Sequence, residues 1–274
     1  MSTLTHSALL LMLLAPLPAA AQAPTPPPAP AQAPAASKAD RPGREFYVSW
    51  GYNGDSYSKS DIHFSQPALG NDFKLLGVQA HDSKAWTDLF DHALTVPQYN
   101  VRAGYFWNEK WGLELAMDHI KWIVTQDQTV AMTGTLNGSP VDTDVVLTTD
   151  VLKYQLNNGA NPIFFNLIRR MTIAGRWGHT GHIALLLKGG GGFAVPHTEN
   201  TVFGQPNEAG FQWFAGWNLD VGAAVRAHVW RGVYVEFEDK FVYARYFDVN
   251  VHEGTARHGV KANEFSFHFG LSFR

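Results

Sequence analysis

The final residues of this chain alternate with a period of two, and that alternation restricts the possible folds more than any other feature. Phe265, Phe267, Phe269, Leu271 and Phe273 share one parity, while Glu264, Ser266, His268, Gly270 and Ser272 share the other. A β-strand sends successive side chains to opposite faces. The segment therefore carries one greasy face and one polar face. The same pattern recurs upstream. Trp217, Leu219, Val221, Ala223, Val225, Ala227 and Val229 alternate with Asn218, Asp220, Gly222, Ala224, Arg226 and His228. Val233, Val235 and Phe237 alternate with Tyr234, Glu236 and Glu238. Tyr99, Val101, Ala103, Tyr105 and Trp107 lead through three residues into Trp111, Leu113, Leu115 and Met117. Phe46, Val48, Trp50 and Tyr52 do the same near the start, and Ile183, Leu185 and Leu187 head a glycine-rich run.

Strands with one lipid-facing side and one polar side are the signature of a membrane-spanning antiparallel barrel. Aromatic residues make up 13% of the 274-residue chain and glycines number 25, which suits such strands. The soluble alternative, an all-β sandwich or lipocalin-like barrel, would leave an exposed aromatic belt without a reason. After the first ~21 residues, no segment reaches the ~18 consecutive apolar residues of a spanning helix. A net charge of −3 gives no electrostatic case for nucleic acid. The absence of cysteine excludes thiolate metal sites, disulfides and lipoprotein processing.

The N-terminus reads as an address followed by a tether. Residues 8–17 form a short apolar core, followed by small residues that offer cleavage after Ala21 or after Ala23. Pro24 would occupy the first mature position of the second cut, so Ala21 is preferred. No Lys or Arg precedes the core, only His6, which departs from the usual signal pattern. Residues 22–43 are rich in Pro and Ala and are expected to stay extended. The barrel is assigned to residues 44–274.

Ordering the segments by loop length gives strands at 45–54, 97–107, 111–124, 152–170, 182–195, 211–229, 233–247 and 262–273. The connections alternate long, short, long, medium, long, short, long. Short turns belong to the periplasmic side and long loops to the outside, which places both termini in the periplasm. Eight strands are expected. A hairpin of 57–65 with 72–80 would make ten. The stretches 56–95, 125–151 and 248–261 are expected to be external loops that meet the environment.

Polar parity defines a candidate lumen network. A three-residue turn at 230–232 sets Val229 opposite Val233 and Arg226 opposite Glu236, and the turn at 108–110 sets Asn100 opposite Asp118 and Arg102 diagonal to Glu114. Asp220, Glu238, Lys240, Glu264 and His268 complete the inward set. Eight strands enclose only enough space for side chains to fill, so ion pairs that plug the interior are expected. A ten-stranded ring would favour a path for small solutes. Trp107, Trp111, Trp217, Tyr243, Phe267, Phe269 and Phe273 form the candidate lipid-facing aromatic belt.

Catalytic motifs are lacking: there is no P-loop, dinucleotide fingerprint or nucleophile elbow. Gly189–Gly192 lack the Lys-Ser/Thr of a phosphate loop and sit within a strand pattern, where they allow close packing. His179 with His182, and His252 with His258, offer no third ligand for a metal, and no cofactor is expected. Residues 155–161, with Asn166 and Arg169-Arg170, distantly resemble the catalytic strand of lipid A deacylase barrels. That resemblance requires histidine and serine where Gln155 and Asn157 stand, and amides supply neither base nor nucleophile. No enzyme activity is expected.

The terminal strand resembles the C-terminal signal read by the barrel-assembly machinery, although Phe273 is penultimate and Arg274 is last. Over 44–274 the pattern resembles the OmpA/OmpW-type small outer-membrane barrels, without the periplasmic peptidoglycan-binding domain of the two-domain version. The resemblance implies residence in the outer membrane among lipid and lipopolysaccharide. The expected role is structural or surface-interactive, with an unidentified external partner. Passive passage of small solutes is the alternative, and lipid A modification comes third.

Overall fold

In the computed structural model, residues 43–83, 98–156 and 159–274 are described. The leader proposed for 1–21 and the tether proposed for 22–43, except its last residue, lie outside them, as does the whole of 84–97. Eight antiparallel strands form a closed ring: β1 (Glu45–Tyr57), β2 (Tyr99–Phe106), β3 (Trp111–Asp118), β4 (Pro162–Ala174), β5 (Ile183–Ala194), β6 (Gly216–Trp230), β7 (Val233–Val251) and β8 (Gly254–Phe273). Each pairs with its sequence neighbours, and β1 pairs with both β2 and β8. Phe46 lies opposite Tyr105 on one side and Phe273 on the other. Closure leaves no free edge within the ring, and a closed ring is the only β arrangement that satisfies the backbone in lipid. Among the described residues no helix is long and apolar enough to cross a membrane.

The expected hairpin of 57–65 with 72–80 exists, as Ser60–Gln66 paired with Asn71–Val78. It does not enter the ring. Instead it pairs with the first residues of β8 beyond the point where β1 leaves off, and Thr129–Leu136 and Ser139–Val146 extend the same sheet outward. The ring therefore stays at eight. Two expected strands prove to be broken. The 111–124 segment ends its barrel run at Asp118, and Trp122–Val124 joins a second sheet. The 152–170 segment divides into Leu152–Leu156 in that sheet and β4 in the wall.

The 248–261 stretch is no loop. β7 runs to Val251 and β8 starts at Gly254, so the hairpin turns in two residues. Alternation explains the misreading: Val249, Val251, Ala256, His258 and Val260 are buried, while Asp248, Asn250, Arg257 and Lys261 are exposed. Their polar outer face reads as loop when the buried partner sheet is unknown. At 19 and 20 residues, β7 and β8 are far longer than the ~9–11 residues needed to cross a bilayer. At ~3.4 Å per residue each spans roughly 65 Å. About half of each stands clear of the hydrocarbon.

That projecting half carries a two-layered crown. The second sheet orders Gln205–Glu208, Glu199–Val202, Leu152–Leu156, Trp122–Val124 and Ala80–His81. Ile62, Phe64, Phe73, Leu75 and Met132 of the extended wall share one apolar core with Trp122, Leu152, Tyr154, Leu156 and Val202 of this sheet. Phe64 meets Tyr154 edge-on at 5.8 Å. His258 stacks between Trp122 at 4.5 Å and Tyr246 at 5.1 Å. The stretches 56–95 and 125–151, read as loops, are largely strands wherever they are described.

Candidate functional site

Inward parity places the polar residues of five strands in one column. Arg102 of β2, Glu114 and Asp118 of β3, Asp220 of β6, Glu236, Glu238 and Lys240 of β7, and Glu264 and His268 of β8 are all at most 8% exposed. Asn100 lies opposite Asp118. Arg226 lies opposite Glu236, and its Nε donates to Glu236 Oε2 at 2.5 Å.

The turn that sets this last pair differs from the expected three residues. Arg231 and Gly232 alone connect Trp230 to Val233, and a bulge between His228 and Trp230 adds the missing residue. The two departures cancel, so Arg226 still meets Glu236.

Charges in the column are heavily shared. Arg102 pairs with Asp118 and lies 3.7 Å from Glu238, 3.8 Å from Glu114 and 3.9 Å from Glu264. Lys240 pairs with Asp118, lies 3.5 Å from Glu264 and 3.9 Å from Asp220. His268 Nε2 lies 3.5 Å from Glu238.

Sequence reasoning missed Lys188 of β5, which is the hub of the column. Its Nζ lies 2.7 Å from Glu236, 3.1 Å from Glu238 and 3.2 Å from Glu114. The signal was present: Ile183, Leu185 and Leu187 take the outer parity, so Lys188 must point inward. Four glycines, Gly189–Gly192, follow it. They admit close backbone approach, since a Cβ on Gly190 would fall 2.1 Å from the Phe165 carbonyl oxygen.

A second cluster, of which sequence reasoning found only Arg226, fills the end of the barrel that holds the short turns. Glu45 of β1 accepts from Arg170 at 2.8 Å and from the C-terminal Arg274 at 3.4 Å. Arg226 lies between the rings of Tyr47 and Tyr234, at 4.0 and 4.1 Å. Those rings lie over Gly104 and Gly270, where a Cβ would come within 2.2 and 2.1 Å of a tyrosine Cζ. Arg274 reaches over Trp177 and donates to the Gly178 carbonyl at 2.6 Å. The terminal residue that departs from the assembly signal thus helps to seal this mouth. At the other mouth, Tyr57, Val242, Ala244 and Tyr246 meet the apolar core of the crown.

The outer wall has the opposite chemistry. Leu113, Phe165 and Val221 are exposed at 57, 59 and 62%. Trp107, Trp111, Trp217, Phe269 and Phe273 are exposed too. Tyr243 and Phe267 share that face but are half-covered, Tyr243 by Trp217 at 5.4 Å and Phe267 by Phe237 at 4.6 Å. A wall that is apolar outside around an ionic interior inverts the arrangement of a water-soluble protein. The chain is a membrane-spanning β-barrel.

One polar pair interrupts the barrel's outer face: Asn263 donates to Asp239 at 2.8 Å across β8 and β7. At the base of the crown, the Asp82 carboxylate accepts from the Asp55 backbone N–H at 2.9 Å and from Gln98. Burial raises the pKa of Asp82 above the usual carboxylate range, against those hydrogen bonds. Among the described residues no group of three or more His, Asp or Glu is placed to hold a metal ion. Gln155 sits in the crown's second sheet rather than in the wall, and Asn157 lies outside the described residues.

No protein-family model and no curated protein matches the chain. Solved structures to which the barrel is similar include the outer membrane protein OprG from Pseudomonas aeruginosa. That likeness has 11% identity, covers 85% of this chain and 97% of that one, and has a TM-score of 0.38. Ail, the attachment invasion locus protein of Yersinia pestis, is 12% identical, with 85% and 99% covered and a TM-score of 0.34. The outer membrane protease OmpT from Escherichia coli is 10% identical, with 85% and 97% covered and a TM-score of 0.33.

Proposed function

We propose that this protein is a closed, non-enzymatic barrel that anchors the crown at the cell surface as an interaction head. The observation that carries this reading is the filled lumen. Five buried cations (Arg102, Arg170, Lys188, Arg226 and Lys240) and seven buried carboxylates occupy its length, between Arg274 at one mouth and the apolar crown core at the other. A conducting pore needs a continuous watery path, and an eight-stranded interior is only wide enough for its own side chains. The binding surface then has to lie on the crown, which stands on the side of the long connections and so faces outward. Cleavage of the leader after Ala21, recognition of the terminal strand by the barrel-assembly machinery, and a shell of lipid and lipopolysaccharide complete the reading. The Gln155 amide argues against lipid A hydrolysis.

Planar-bilayer recording of the purified, refolded barrel tests this directly. No stable unitary conductance is expected at moderate voltage, and a reproducible channel would replace the closed barrel with a solute pathway. Mass spectrometry of lipid A from cells with and without the protein is expected to show identical profiles. A change in acylation would overturn the non-enzymatic part.

A further inference from the structure

Four hairpin tips meet at the far end of the crown: 66–71, 136–139, 202–205 and 251–254. Between them lies a cleft of about 440 Å³. Gln66 and Asn71 form its floor, and both are buried. Asn71 Nδ2 donates to Gln66 Oε1 at 3.0 Å, and Gln66 Nε2 donates to the His252 carbonyl at 2.6 Å. The Asn137 N–H donates to Asn71 Oδ1 at 2.8 Å. The two floor amides are thus locked before any ligand arrives, and each keeps one N–H outside these bonds. Leu69 and Phe203 supply apolar walls. Among the described residues no Asp, Glu, Lys or Arg lines the cleft, and His252 is its one titratable side chain.

Phe203 is the informative residue. Two of the tips are two-residue turns of the same kind, each with positive φ at both positions. At one the residues are Asn137 and Gly138, with φ of 51° and 76°. At the other they are Phe203 and Gly204, with φ of 47° and 75°. Asn-Gly is the pair such turns favour. A bulky side chain at positive φ is a genuine outlier. Turn chemistry asks for Asn at position 203, yet a phenyl ring is held there at the cleft wall. It touches Phe73 at 5.5 Å on its inner side and remains partly exposed.

We propose that this cleft is a binding site for a neutral oligosaccharide. An aromatic face packs against the C–H side of a pyranose ring, fixed amides exchange hydrogen bonds with its hydroxyls, and a lining without Lys or Arg gives acidic sugars no permanent counter-ion. The proposal rests on the reading of the crown as an interaction head and names the class of ligand that head takes.

The test uses the full barrel in detergent micelles on an array of neutral, sialylated and sulfated oligosaccharides, followed by calorimetric titration of the strongest neutral binder. Wild-type protein is expected to bind neutral members. Phe203→Asn relieves the turn while removing the ring, and is expected to weaken binding at least tenfold with an unchanged cold-SDS gel shift. Phe203→Tyr keeps the ring and is expected to retain binding. The site is refuted if no neutral glycan binds, if only acidic glycans bind, or if Phe203→Asn binds as wild type does. A silent bilayer recording beside an empty array would remove this cleft alone and leave the closed barrel standing.

Discussion

At the scale of single residues, the molecule is governed by how buried charges are shared. Lys188 faces Glu114, Glu236 and Glu238 within 3.2 Å, and every partner is buried. Removing one member of a buried ion pair leaves an uncompensated charge and costs about 3–5 kcal/mol, far more than an exposed pair. Lys188→Met is therefore expected to lower the stability of the folded barrel by about that amount in urea titration. A loss below ~1 kcal/mol, the range of surface pairs, would mean that water reaches the column. Most of this column was legible from parity, because a closed wall admits only two side-chain directions. Lys188, Glu45 and Arg170 obey the same rule. No neighbouring strand read from the sequence offers them an opposite charge. Their partners come from strands up to 125 residues away.

At the scale of elements, register survives local error. The Arg231-Gly232 turn is one residue shorter than expected, and the bulge at Val229 restores the parity of everything beyond it. A strand that faces lipid on one side cannot slip by one without exposing its charges to acyl chains, so the wall selects the bulge. Parity does not say where the membrane ends. In β8 the alternation continues unbroken into the crown, and in β7 it resumes with the opposite parity after a bulge at Phe247-Asp248, where the covering layer is another sheet rather than lipid. Hence eight strands were readable and the crown was not: its hairpins carry the same two-residue period, and nothing local shows which sheet they join. Hydrogen exchange separates the two layers. Amides of β6 and of residues 233–245 are expected to exchange slowest. Those of Ser139–Val146, an edge strand paired only with Thr129–Leu136 among the described residues, are expected to exchange much faster. Protection of Ser139–Val146 equal to that of β6 would mean that this strand is enclosed between two neighbours, and the eight-stranded ring would have to be redrawn.

At the scale of the whole molecule, three regions divide the work. An apolar outer wall holds the chain in lipid, an ionic column and its aromatic ends fill the cylinder, and the crown is the proposed interaction head. Each depends on closure, since an open sheet of these strands would present unpaired backbone to hydrocarbon. The pairing of β1 with β8, from Phe46 opposite Phe273 to Tyr57 opposite Ala262, is the seam on which the rest relies. Migration on a denaturing gel before and after boiling interrogates that seam most directly. A sealed, fully hydrogen-bonded cylinder resists cold SDS, so the unheated protein is expected to run as a compact band displaced from the boiled one. Coincident bands, together with a mature chain that stays dissolved without detergent, would contradict the barrel.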